Sequence, residues 1–302
     1  MSSTIRIGEE VAAALAGNQP IVAMESTIYS SMGIPAPANR ECLERCEAAI
    51  RSGGAIPALT AVLDGVGVIG LDVAEIDRVL GGTAKIAARD LPFAAASALD
   101  VGVTTVSATV TLAAAAGVGV FATGGIGGVH RGSELTLDVS HDLRAMSRHP
   151  VVTVSAGAKA FLDLAGTLEY LETEGVPVVG WNTDRFPAFY VRDSGLDLQT
   201  TVTSGAEVAA MMRAAAAFGH PGGMLVANPI PEADELDPER INAALDRALA
   251  EVDAKGLRGP AITPLVLAAI AEATDGDSIP ANLALAENNA RVAAEIAVAT
   301  VT

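Results

Sequence analysis

The stretch VVTVSAGAKAFLDLAG, Val151 to Gly166, is apolar almost throughout and carries Lys159. Only two other lysines, Lys85 and Lys255, occur in 302 residues, and arginine supplies the remaining basic side chains. A surface counter-charge can be arginine. An amine that must lose its proton cannot, because guanidinium stays charged at physiological pH. VVTVS reads as a buried strand, Gly157 permits a tight exit, and Lys159 is then expected near the start of the next helix. Desolvation and the positive helix end would both disfavour the ammonium there. A neutral amine can attack a carbonyl and form an imine; the bland alternative is a lysine that snorkels out of the helix start.

Other segments offer partners. In IVAMEST, Glu25 ends an apolar strand, where desolvation raises a carboxyl pKa and allows proton donation near neutrality. An ion-paired strand terminus is the alternative. AKIAARDLP places Lys85 near Arg89 and Asp90; a surface charge cluster is the default there, but Lys85 shares the scarcity of lysine. FATGGIGGVHRG, Phe121 to Gly132, follows an expected strand but is neither G-x-G-x-x-G nor a P-loop. It suits either an anion-accepting loop aided by His130 and Arg131 or a tight turn with close backbone packing. SELTLDVSHDL groups Asp138, Ser140, His141 and Asp142 before a helix. A carboxylate with few protein neighbours suits Mg²⁺ or Mn²⁺, which keep most of their waters; a plain N-cap at Ser140 or Asp142 fits equally.

The elements that must position these groups alternate short β-branched runs with Ala-rich helical stretches, the pattern of βαβ units. Strands are expected at 20–25, 58–65, 104–110, 118–125, 151–157, 177–181 and 223–228. Helices are expected at 9–18, 39–53, 72–82, up to 116, 204–218, 236–255, 262–274 and 281–300. No repeat or linker divides the chain. The expected fold is a single-domain α/β/α sandwich over residues 1–302, with a mostly parallel central sheet flanked by helices. In such sheets ligands collect at the carboxyl ends of strands, where Glu25, Thr123, Lys159 and Asn228 fall.

Half the residues are hydrophobic and only 3% aromatic, so the core must come mainly from Ala, Val, Leu and Ile. The net charge of −17 argues against nucleic-acid binding, although an acidic chain can still hold a locally positive pocket. No apolar run reaches membrane-span length, and Glu9 and Glu10 interrupt the N-terminal segment where a signal peptide would be apolar. A cytoplasmic enzyme acting on a small molecule is expected. Cys42 and Cys46, spaced i, i+4, read as packing residues.

The ordered blocks VAMESTI, RDLPF, TTVSAT, FATGGIGGVHRG, TLDVSHDL, SAGAK, FPAF, VANPIP and ENNA resemble the pseudouridine-5′-phosphate glycosidase family, which shares its fold with indigoidine synthase A-like proteins. The resemblance spans about residues 5 to 300. It implies reversible cleavage of the C–C glycosidic bond of pseudouridine 5′-phosphate to uracil and ribose 5-phosphate. It also implies a divalent metal, usually Mn²⁺ (Mg²⁺ as the alternative), and a homotrimer. The implied chemistry opens the ribose ring and joins C1′ to a lysine as an imine. By resemblance that lysine is Lys159, the acid/base is Glu25, and Lys85 contacts phosphate or sugar. The metal falls on Asp138, and substrate contacts fall on Val106, Ser140, His141 and Asp142. An active-site asparagine falls on Asn282 or Asn289, and Thr123 and His130 lie where the family handles phosphate. The chain departs from the family in reading Ser30-Ser31-Met32-Gly33 where S-H-G is common, and in having His141 where a small residue is usual. The alternatives are a same-fold enzyme of pigment or other base–sugar-phosphate metabolism, or a non-catalytic binder of a phosphorylated ligand.

Overall fold

The computed structural model describes residues 4–257 and 262–301. The strands among them are β1 (Ile5–Ile7), β2 (Ile21–Met24), β3 (Ile56–Leu63), β4 (Val66–Ile69), β5 (Lys85–Ile86), β6 (Val101–Thr104), β7 (Val120–Ala122), β8 (Val152–Ser155), β9 (Val178–Trp181), β10 (Thr201–Val202) and β11 (Met224–Ala227). Their order across the sheet is β1-β4-β3-β2-β7-β8-β11-β9-β10, with β6 joined to β3 and β5. From β3 through β2, β7, β8, β11 and β9 to β10 every pairing is parallel. Strands β2, β7, β8 and β11 are buried at every position, as parallel strands covered by helices must be.

Antiparallel pairing enters only at β3, which pairs that way with β4 and β6. The turn Asp64-Gly65, with φ of 52° and 77°, supplies the left-handed pair that a two-residue hairpin requires. The first half of β3 stays with β2 while the second half carries β4 and β6. This fork brings the short strand β5, and with it Lys85, alongside β6 in register Lys85↔Val103. The helix Ser278–Val301 packs on the helices Ala38–Ser52 and Gly205–Ala217 and lies over β7, β2 and β8. Its alanines allow that close approach, and one continuous apolar core runs from β2 to this helix. Cys42 and Cys46 are buried in that core as free thiols. No helix among the described residues is long and apolar enough to cross a membrane.

Several expectations need correction. The run TTVSATV is not a strand: β6 ends at Thr104, and Val106–Ala116 is a helix. Its β-branched residues are buried from Val106 to Val110, so packing outweighs their strand preference. The helix expected to begin near Lys159 starts later: it is Leu164–Thr173, capped by Asp163, whose carboxylate accepts from Gly166 N at 2.8 Å. Lys159 therefore sits in a loop five residues before that helix and not at its start. Strands β1, β4, β5 and β10 also lie outside the expected set; β5 and β10, two residues each, are too short for a periodic signal.

Gly157 holds φ +74°, and a Cβ there would meet Pro187 O at 2.2 Å. Gly157→Ala is expected to lower stability by at least about 2 kcal/mol, combining left-handed strain with a backbone clash. Urea unfolding monitored by circular dichroism would check this, and a change below about 0.5 kcal/mol would contradict it.

Candidate active site

Two loops leave the sheet side by side, and their backbones continue the pairing of β7 with β8. Thr123 N donates to Val154 O, Ala156 N to Gly124 O, Ile126 N to Gly157 O, and Lys159 N to Ile126 O, all within 2.9–3.1 Å. Farther along, Asp163 N donates to Val129 O at 2.9 Å. The glycine-rich loop is thus bound to the lysine-bearing loop through main-chain atoms. Lys159 is anchored by its backbone, which leaves the side chain free to enter the cavity beside it.

Side chains fix the zipper from both flanks. The fully buried Asn289 donates from Nδ2 to Thr123 O at 2.8 Å and accepts from Asn228 Nδ2 at 2.8 Å. On the other flank Asp142 accepts from Gly127 N at 3.0 Å and from Ser107 N at 2.9 Å. Ser107 lies in the first turn of the helix Val106–Ala116, so the carboxylate occupies the positive end of that helix. Ser140 caps the next helix, its Oγ accepting from Asp142 N at 3.2 Å. A hydroxyl cluster sets the strand exit at Glu25: Thr104 N donates to Ser26 Oγ at 2.8 Å, and Thr27 Oγ1 donates to Thr104 O at 2.7 Å.

Glu25, Lys85, Thr123, Lys159 and Asn282 line one cavity of about 240 Å³, together with Phe161, Phe189 and Tyr190. Glu25 is 5% exposed. Burial raises its carboxyl pKa, against the opposing influences of Lys159 and of the Thr123 hydroxyl that donates to Oε1. Burial, reinforced by the neighbouring Lys159, lowers the pKa of Lys85. The third lysine, Lys255, follows the helix Pro238–Ala254 and pairs with Glu251 at 2.5 Å, well exposed. Two of the three lysines therefore share one desolvated chamber with an acid inclined to keep its proton. Such a set can form an imine and pass protons to and from its substrate.

The remaining sequence candidates lie around this chamber. Asn282 faces it, whereas Asn289 stands behind the loop as a brace. Val106, Ser140, His141 and Asp142 form the junction of two helices beneath the glycine loop. His130 and Asp138 line a second hollow, which shares Phe161 with the first. Burial pushes the His130 imidazole below its ordinary pKa despite Asp138. The Asp138 side chain is 31% exposed, with His130 Nδ1 3.9 Å away. No group of three metal-type side chains is assembled among the described residues. One open carboxylate fits a divalent ion that keeps most of its waters and does not fit a closed protein cage.

The glycine loop is less open to an anion than its composition suggests. The N–H groups of Ile126, Gly127, Val129 and His130 are spent on protein acceptors. A Cβ on Gly127 would meet Ser140 Oγ at 2.3 Å, and one on Gly128 would meet Thr167 Oγ1 at 2.3 Å. Close packing accounts for these glycines. Gly124 and Gly125, which line the chamber, keep N–H groups without a partner among the described residues. Sequence reasoning about single residues missed Phe161, Phe189, Tyr190 and the Ser26–Thr104 cluster; only the FPAF block marked part of this wall.

The carboxyl of Glu25 ionises near 4.5 when unfolded and at a higher pH when folded. Its contribution to stability is complete below about 4.5 and is lost as pH rises through the folded value. Relative to Glu25→Gln, the wild-type protein should therefore lose stability as pH rises from 4.5 toward neutrality. Urea midpoints measured across that range check this, and a pH-independent difference between the two proteins would contradict it.

Comparisons with known proteins place the whole chain in a family. The family model described as "Indigoidine synthase A like protein" matches residues 10–299. A pseudouridine-5′-phosphate glycosidase of Chloroflexus aurantiacus is 51% identical, covering 97% of this chain and 98% of its own. The Escherichia coli protein of the same name is 46% identical over 97% of this chain and 94% of its own. Among solved structures, a prealnumycin C-glycosynthase in complex with ribulose 5-phosphate superposes with a TM-score of 0.91. It is 38% identical and covers 98% of this chain and 97% of its own. Nearly full-length matches in sequence and in structure show that the chain belongs to the indigoidine synthase A-like family.

Proposed function

We propose that this protein is a pseudouridine-5′-phosphate glycosidase, cleaving pseudouridine 5′-phosphate to uracil and ribose 5-phosphate. The observation that carries the reading is the joint placement of Glu25, Lys85 and Lys159 in one buried cavity, in a chain that has three lysines. Near-full-length relatives bear that activity in their names.

A C-glycoside has no heteroatom at the base that protonation could turn into a leaving group. The protonated Glu25 donates its proton to the ring oxygen O4′ as the C1′–O4′ bond breaks and the ribose ring opens. The amine of Lys159 forms a C–N bond to C1′ and gives up a proton. The nitrogen lone pair then becomes the C=N⁺ bond while the C1′–C5 bond breaks. That bonding pair stays on uracil C5, which takes a proton returned through Glu25. Water hydrolyses the iminium, releasing ribose 5-phosphate and the free lysine. Lys85 supplies positive charge to phosphate or sugar. Thr123 holds the Glu25 carboxyl in one orientation by donating to Oε1.

In this reading Asp138 holds a Mn²⁺ ion, with Mg²⁺ as the alternative, which when bound supplies positive charge beside the phosphorylated substrate. The enzyme works in the cytoplasm as a homotrimer; the exposed Leu135 and Leu137 beside the Asp138 hollow offer apolar surface for subunits to cover. The likeness to a C-glycosynthase favours a second reading, in which the same lysine chemistry builds a C–C bond to a sugar phosphate. The higher identity to the glycosidases ranks it second.

Borohydride reduction in the presence of ribose 5-phosphate should leave a stable mass on the peptide bearing Lys159, and its absence from active enzyme would sink the covalent step. Lys159→Arg should abolish uracil release, by a factor of at least about 10³. Chelation should remove activity and Mn²⁺ restore it, with Asp138→Asn requiring more metal for half-maximal rate. Activity indifferent to chelator would remove the metal from the scheme.

A further inference from the structure

The functional reading leaves Tyr190 without a role, yet Tyr190 lines the same cavity and is 1% exposed. Its ring meets Phe189 edge-on with centroids 4.7 Å apart. Its backbone is tied down where Leu236 N donates to Tyr190 O at 3.1 Å. Phe189, held at φ 65°, donates from its N–H to Ala156 O at 3.0 Å, which joins this wall to the lysine loop. The Tyr190 hydroxyl therefore has a fixed position. It accepts a hydrogen bond from Asn282 Nδ2 at 2.8 Å. Burial raises the phenol pKa well above its ordinary value, so the hydroxyl stays neutral.

Asn282 has one amide group with two faces, an NH₂ donor and a carbonyl acceptor. Tyr190 takes one of the two N–H groups and so fixes the amide plane. The carbonyl Oδ1 takes no donor among the described residues and remains available to a ligand in the cavity. A free asparagine presents either end by rotating its amide, whereas the bond to Tyr190 holds this one in a single orientation.

We propose that Tyr190 is a positioning residue that sets base specificity by holding the Asn282 amide so that its carbonyl oxygen is presented to the base. The selected group is a ring N–H. A C-linked uracil keeps its N1–H, which is absent from an N1-linked or N1-alkylated pyrimidine. A site built to accept from that hydrogen rejects analogues that lack it, because Oδ1 is then left desolvated and unpaired. This inference rests on the glycosidase reading and deepens it.

The test compares kcat/KM for pseudouridine 5′-phosphate with that for its 1-methyl analogue, in wild type, Tyr190→Phe, Asn282→Ala and the double variant. Wild type should prefer the unmethylated substrate, and Tyr190→Phe should shrink that preference by about tenfold. Asn282→Ala should shrink it at least as far, and adding Tyr190→Phe to it should change the ratio no further. A ratio left intact by Tyr190→Phe, or equal additional losses in the double variant, would overturn the assignment. Retained preference in Asn282→Ala would also overturn the assignment, since it removes the acceptor from recognition. Absence of any wild-type turnover of pseudouridine 5′-phosphate would instead refute the glycosidase reading itself, a distinct result.

Discussion

The main-chain pairing between the loop 123–129 and the loop 155–159 is the constraint on which the site depends. Parallel strands β7 and β8 end abreast, and the loops beyond them keep exchanging hydrogen bonds as far as Lys159 N to Ile126 O. A lysine held in this way needs no side-chain tether, so its amine stays available. The same pairing places Thr123 against Glu25 and leaves Gly124 and Gly125 along the cavity. The braces at Asn289 and Asp142 matter because a loop exchange made of a few bonds would otherwise open locally.

Desolvation gives this arrangement its chemistry. Burying one acid and two amines together raises the carboxyl pKa of Glu25 and lowers that of the Lys85 ammonium. The first shift favours a carboxyl that can donate its proton; the second eases proton loss from Lys85, which an anionic ligand group beside it would oppose. Charged forms remain accessible because the groups face one another across a small chamber. Phe161, Phe189 and Tyr190 give that chamber an apolar wall, and Phe161 also lines the hollow of His130 and Asp138. Glu25 and the two lysines thus have surroundings that adjoin, but differ from, those of His130 and Asp138.

The glycine loop shows how one composition supports two physical roles. In the sequence its five glycines suggest an anion cradle, and nothing local distinguishes that from close packing. The structure divides the roles along the loop. Gly127 and Gly128 are small because Ser140 and Thr167 press against them, while Gly124 and Gly125 border the cavity with unspent N–H groups.

By itself the sequence determined the βαβ class, the buried strands and the amine as the residue to watch. Those properties follow from local pattern and from residue chemistry, which need no partner. It also placed Glu25 and Lys159 at strand ends, because strand termini are marked by the change from apolar to polar residues. It misread TTVSATV, since β-branched residues buried on every side carry no period that separates helix from strand. Only the tertiary structure decided that Lys85 joins Lys159, because that meeting depends on the fork at β3 and a two-residue strand. Tertiary packing also separated Asn282 from Asn289. They stand two helical turns apart on one helix, and whether each meets ligand or loop depends on what lies against its face.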